Sequence, residues 1–238
     1  MESERLRRKL EFLLPVVRAA GRRFLGHPRV ADLYPEYLFT SHCIVRASVP
    51  LMEAAVRQAT AGSDRDPVAD GVARYLEEHI PEERDHDEWL LEDLETLGID
   101  RAAILSRPPS ATVAALIGAQ YYWVLHYHPV ALLGYMALLE GYPPRRDEIE
   151  VLAARTGYDR AAFRTLMAHA ELDPHHRDDL DRTLDALPLS PAQRSLLGTS
   201  ALHSARLFAR CVEEIVEPEI AWPDGSRPLQ TIVGHPRP

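Results

Sequence analysis

The sequence predicts an all-α fold, a single domain built as a bundle of about seven helices. Three observations point there. Leu, Val, Ile and Phe recur at helical spacing in one segment after another. The segments are punctuated by Pro, Gly and capping residues, and no stretch alternates as a half-buried strand does. At 238 residues the chain can bury a substantial core. With 46% hydrophobic and 26% charged residues it has the balance of a globular protein and is no disordered segment. A net charge of −9 argues against nucleic acid or an anionic membrane as partner. Cys43 and Cys211 make neither a disulfide framework nor a Cys-x2-Cys zinc pattern. The first ten residues, MESERLRRKL, lack a signal-peptide apolar core, so a cytoplasmic setting is expected.

In chain order, residues 3–25 carry a helical pattern with Pro15 as a kink. A second helix is expected from Tyr34 to Ala61, interrupted at Pro50, with His42, Val49 and Glu53 sharing one face. AGSDRDP at 61–67 reads as a turn. Pro81 kinks a helix or opens one, and the pattern from Glu82 to Leu97 is helical, closed by Gly98. Residues 110–140 are the most apolar. Gln120, His126, His128 and Pro129 interrupt them, which excludes a membrane span and leaves a central core helix. Its Tyr121, Tyr122, Trp123 and Met136 are candidate pocket wall, with plain packing the competing reading. A short helix follows Arg145. The stretch 190–217 starts with a Ser cap and Pro191 and stays helical. The domain is therefore read as 1–217, with a Pro-rich tail at 218–238.

Candidate chemistry centres on Leu166–Asp179. His169, Asp173 and His176 sit at offsets of zero, four and seven, which at about 100° per residue puts them within roughly 60° of one another. All three donors suit a first-row transition metal. Pro174, inside this helix, removes the bond its N–H would give to the Ala170 carbonyl. A solvated charged face is the alternative, since His175, Arg177, Asp178 and Asp179 are polar too. Glu83 and His86 are three apart, Glu82 and His86 four apart, and either pair can share a face. Glu140 ends the core helix, where the dipole disfavours an anion. It needs Arg145, Arg146 or a metal as partner. Glu53 is taken from the second helix. His79, Glu82 and His42 stand as further ligand or supporting candidates. Such a set of carboxylates and imidazoles on separate helices is what a dinuclear iron or manganese site requires.

Glu83-x2-His86, Glu140 in LLEGYPP, and His169-x3-Asp173-x2-His176 together resemble the haem-oxygenase-like di-iron oxidases, over roughly residues 35 to 215. The resemblance implies a seven-helix haem-oxygenase-like fold and two Fe(II), with manganese as the alternative metal. It implies O₂ as co-substrate in the oxidation of a small amino-acid-like or fatty-acid-like molecule. An external electron donor and a homodimer are compatible with it. Some members of that family carry Glu seven before the His, where this chain has His79, and Glu83 then serves instead. Three readings compete, one of them a His-Asp metal phosphohydrolase suggested by the single dipeptide His86-Asp87 without the surrounding signature. A haem-binding or haem-degrading protein would use one axial His, for which His42 is the candidate. A non-enzymatic helical interaction protein would carry all these groups as surface charge.

Overall fold

The computed structural model describes residues 1–61 and 66–217; the tail expected at 218–238 lies outside the described residues. Within them the fold is all-α, without strands. Twelve α-helices and one 3₁₀ turn run in the order α1 Glu2–Glu11, α2 Leu14–Gly26, α3 Val30–Val45, α4 Ser48–Thr60, α5 Pro67–Glu83, α6 His86–Thr96, α7 Arg101–Ser106, α8 Ala111–His126, α9 Ala131–Leu139 and α10 Arg146–Thr156, then the 3₁₀ turn Arg160–Phe163, α11 Arg164–Ala186 and α12 Pro191–Val216. Joining α1 with α2, α3 with α4, α5 with α6 and α8 with α9 recovers the seven segments of the hydrophobic pattern, plus the short α7.

Proline explains three of the four divisions. Pro15 lies in the first turn of α2, where its missing N–H costs nothing, so it opens a helix and does not kink one. Pro50 does the same for α4. His42 on α3 and Glu53 on α4 therefore share no helical face, which corrects the Tyr34–Ala61 expectation. Pro129 divides 110–140 into two unequal halves. Only α9 is buried on every side, each residue from Ala131 to Leu138 being buried. α8 buries one stripe, Val113, Leu116, Gln120 and Val124. The fourth division follows Glu83, where Asp85 takes a left-handed φ of 69° and turns the chain into α6. Short polar side chains tolerate that conformation best.

α9 and α12 form the core seam. Gly134 makes it possible: a Cβ there would strike the Leu197 carbonyl and come within 2.9 Å of the Ala201 N. Gln120 on α8 is fully buried, bonded to the Ser204 hydroxyl at 3.2 Å and accepting from Ser200 at 2.9 Å on α12.

α11 is held at both ends. At its start, Thr165 N–H donates to the buried Asp93 of α6 at 3.0 Å. At its finish, Ser3 binds Asp185 through N–H and hydroxyl at 2.9 and 2.8 Å. Arg7 donates to Asp181 at 2.8 Å and, with its other terminal nitrogen, to the Ala137 carbonyl near the end of α9, also at 2.8 Å. One guanidinium thus ties α1 to both α9 and α11. Among the described residues, the middle of α11, around Pro174, has no comparable hydrogen bond from a buried partner on another helix. No helix among the described residues is long and apolar enough to cross a membrane.

Candidate metal centre

α5, α6, α9 and α11 bring seven of the sequence's candidates together in the interior. His79 and Glu83 come from the last turns of α5, His86 from the first residue of α6, Glu140 from the end of α9, and His169, Asp173 and His176 from the buried face of α11. Glu83 and His86 do not share a helix as the sequence suggested. The Asp85 turn folds His86 back, leaving its Nδ1 3.2 Å from Glu83 Oε2.

Glu83 stands in the middle. Its Oε1 lies 3.8 Å from His79 Nε2 and 3.4 Å from His176 Nδ1, while Oε2 faces His86. On the first side, ligand atoms of His79, Glu83 and His176 fall within 4.8 Å of one another, and Glu140 Oε1 is 3.4 Å from His79 Nε2. On the second side, the His86 and His169 rings meet edge to face at 4.9 Å. Asp173 accepts from or bonds His169 Nδ1 at 3.0 Å and reaches toward His176 Nδ1 at 3.9 Å.

Six atoms in this cluster are buried without a hydrogen bond: His79 Nε2, Glu83 Oε1, His86 Nδ1, Glu140 Oε2, His169 Nε2 and His176 Nδ1. Buried polar atoms are nearly always satisfied, and six orphans converging on one point call for a partner. Divalent first-row metal fits that donor set of imidazoles and carboxylates, with His79, Glu83 and His176 a close group of three. Glu82 sits outside the cluster. Its Oε2 lies 3.4 Å from His79 Nδ1 and 3.5 Å from His176 Nε2, the nitrogens that face away from the centre. A carboxylate there favours a proton on each outer nitrogen and leaves both inner lone pairs free.

Electrostatics fit the same picture. Burial works to raise the Glu83 pKa, but the nearby His86 Nδ1 and the His86, His169 and His79 charges outweigh it and hold Glu83 down to about 2. Burial also opposes protonation of His79 and His169, yet Glu140 and Asp173 respectively overcome it and raise both pKa values. Glu140 is pushed up by burial, and His176 is lowered by its own. Without a metal the cluster therefore retains protons.

The readings of Glu53 and His42 need correcting, and the structure bears on those left open for Glu140 and for residues 121–123. Glu53 is not in the cluster: it is half-exposed on α4 and its nearest cation is Arg57 at 3.9 Å, because the α3–α4 break turns that face outward. Glu140 pairs with neither Arg145 nor Arg146, which bind Asp147 and Glu171. Tyr122 is 54% exposed, Trp123 packs edge-on against His203, and Tyr121 packs on the core periphery; no residue of α8 lines the cavity described next. His42 is buried, with Nδ1 3.3 Å from the Asp87 carbonyl, and does not line the cavity described next.

That cavity, about 170 Å³, opens off the cluster and has Glu83, Glu140, His169 and Asp173 at one end. Its walls are mainly apolar, among them Ile44, Met52, Leu132, Met136, Leu166 and Phe208. Of the wall candidates on 110–140, Met136 is where the sequence placed it. Tyr37, Ser41, Ser48, Tyr135 and Thr165 also line it, and no spacing rule singled them out. Arg7 and Asp93 were equally invisible, since their partners lie far off in the chain.

Comparison with known proteins agrees with this architecture. Residues 36–211 match the family described as iron-containing redox enzyme. A crystal structure of a domain of unknown function with a haem-oxygenase-like fold, from Shewanella denitrificans OS217, superposes with a TM-score of 0.73. The identity is 18%, and 94% of each chain is covered. A TenA homologue from Pseudomonas syringae pv. tomato DC3000 superposes with a TM-score of 0.62 at 15% identity, over 87% of this chain and 92% of that one. No curated protein matches the chain.

Proposed function

The chain belongs to the iron-containing redox enzyme family, and from that premise we propose that it is a di-iron oxidase or oxygenase acting on a small organic substrate with O₂. The observation that carries the reading is the convergence of six unpartnered, buried donor atoms from four helices. His79, Glu83, Glu140 and His176 would hold one ion, and His86, His169, Asp173 and the second oxygen of Glu83 the other. When bound, two Fe(II) ions supply the reducing electrons and the open coordination positions that O₂ activation requires. The protein's residues do the rest. Glu82 orients two imidazoles from outside, Asp173 orients His169, and the packed α9 and α11 exclude bulk water. The apolar cavity places a substrate beside the cluster.

Supporting the di-iron reading over haem is the cavity's size. About 170 Å³ falls short of the roughly 300–1,000 Å³ of ordinary ligand pockets, and a porphyrin needs a large one. A purely interacting protein would have no use for buried, unpaired carboxylates. Anaerobic loading with Fe(II) is the test. Wild type should hold two irons per chain with no porphyrin absorption band. His86→Ala and His169→Ala should each lose at least one, while Glu53→Ala keeps both. A chain that holds haem, or that loads no more than one iron, overturns the proposal.

A further inference from the structure

We propose that the cavity selects a short, mainly apolar substrate without an ammonium or other cationic group, of about six to nine non-hydrogen atoms with one polar group. This rests on the di-iron reading only for the chemistry at its end; the selection itself belongs to the walls. The size follows from volume. A cavity of about 150 Å³ lined by Leu, Ile and Phe accommodates benzene, and this one measures about 170 Å³.

The absence of a cationic group follows from the lining. Among the described residues, no Lys or Arg lines the cavity, and its ionisable groups other than tyrosines all belong to the metal cluster. An ammonium carried into the apolar part would be buried without a partner, at a steep desolvation cost. An amino acid's ammonium has nowhere to pair once the cluster carboxylates hold metal. The polar group has two places to go. Tyr37 and Ser41 form one pair of lining hydroxyls and Tyr135 and Ser48 the other, on an otherwise greasy wall, and the Tyr135 hydroxyl is buried without a hydrogen-bond partner. Hydroxyl pairs can donate and accept, so they suit an alcohol, ether or carbonyl and supply no countercharge to an ammonium.

Calorimetric titration of 1-alkanols from butanol to decanol tests this, on protein loaded with Mn(II), which avoids turnover, and in parallel on metal-free protein. Affinity should rise about fourfold per methylene while the chain fits, then level or fall beyond about octanol. Norleucine and hexylammonium should bind the manganese protein at least tenfold more weakly than hexanol. Met136→Phe narrows the cavity from α9, and Val45→Phe does so from the end of α3, away from the tightest packing. Either should move the cutoff at least two methylenes shorter. A series that keeps rising to decanol, norleucine binding as tightly as hexanol, or an unmoved cutoff in both variants overturns the proposal. Failure to bind manganese would instead count against the metal centre, since the metal-free titration still reads the cavity.

Discussion

Glu82 shows how much depends on a single exposed side chain. In the sequence it stands both as a competitor of Glu83 for His86 and as a supporting candidate, because spacing cannot tell which carboxylate points inward. The structure separates them: Glu83 is 8% exposed and Glu82 49%. Removing an orienting partner of a ligand His commonly costs 10- to 100-fold in metal affinity. Glu82→Ala should therefore weaken iron or manganese binding by about that factor and leave stoichiometry at saturation unchanged. Loss of an ion at saturation would make Glu82 a ligand. Protonation offers a second handle. His79 and His169, raised in the fold, stabilise the metal-free protein fully below their ordinary value near 6.5 and lose that contribution as pH climbs through their raised values. Glu140, raised by burial, acts in the same direction; His176, lowered by burial, takes back part on the acidic side. Glu83 is held down to about 2, so its contribution is present above about 4.5. The metal-free melting temperature should thus fall between pH 6 and 8 while metal affinity rises, since metal must displace the same protons. Parallel slopes in the two measurements would contradict this assignment.

At the scale of the element, α11 is the helix the sequence described best. Its offsets of zero, four and seven placed three donors on one face, and the structure buries Asp173 and His176 on it while leaving His175 and Arg177 outside. The helix is fastened at Thr165 and at Asp181–Asp185, and Pro174 weakens the unfastened middle. Local opening there should be cheap without metal and costly with it. Amides from Ala168 to Arg182 should exchange quickly in metal-free protein and slow by at least tenfold on adding Mn(II). Those of α9 should be protected in both states. Equal exchange of 168–182 with and without metal would remove α11 from any metal-ordering role. The elements misjudged are those with proline near a boundary. Apolar spacing carries on past Pro15, Pro50 and Pro129 as if each only kinked or interrupted a helix, while the backbone uses each to begin afresh, and that is why Glu53 falls outside the cluster.

For the molecule as a whole, fold class was legible because periodicity is local and abundant. The packing that locates the site was not, because it depends on residues distant in sequence. Gly134 is such a case: it reads as a weak spot in an apolar helix, yet it lets α9 lie against the α12 backbone. Gly134→Ala has no room for its methyl and should cost about 1–3 kcal/mol as α9 is pushed outward. It should also weaken metal binding, since Glu140 rides at the end of that helix. Thermal unfolding together with a manganese titration reads both. A variant as stable as wild type would mean that the seam relaxes elsewhere.

The long reach of α1 sets an order of events in time. Ser3 closes on Asp185 across 182 positions, and Arg7 on Asp181 across 174. Contacts so distant form late, after the entropy of closing the intervening loop has been met. His79, Glu83 and His86 leave the ribosome well before α11 exists, so a growing chain exhibits half a centre and no way to complete it. On the proposed metal reading, completing the centre is then a late step, since it waits for α11 to be made.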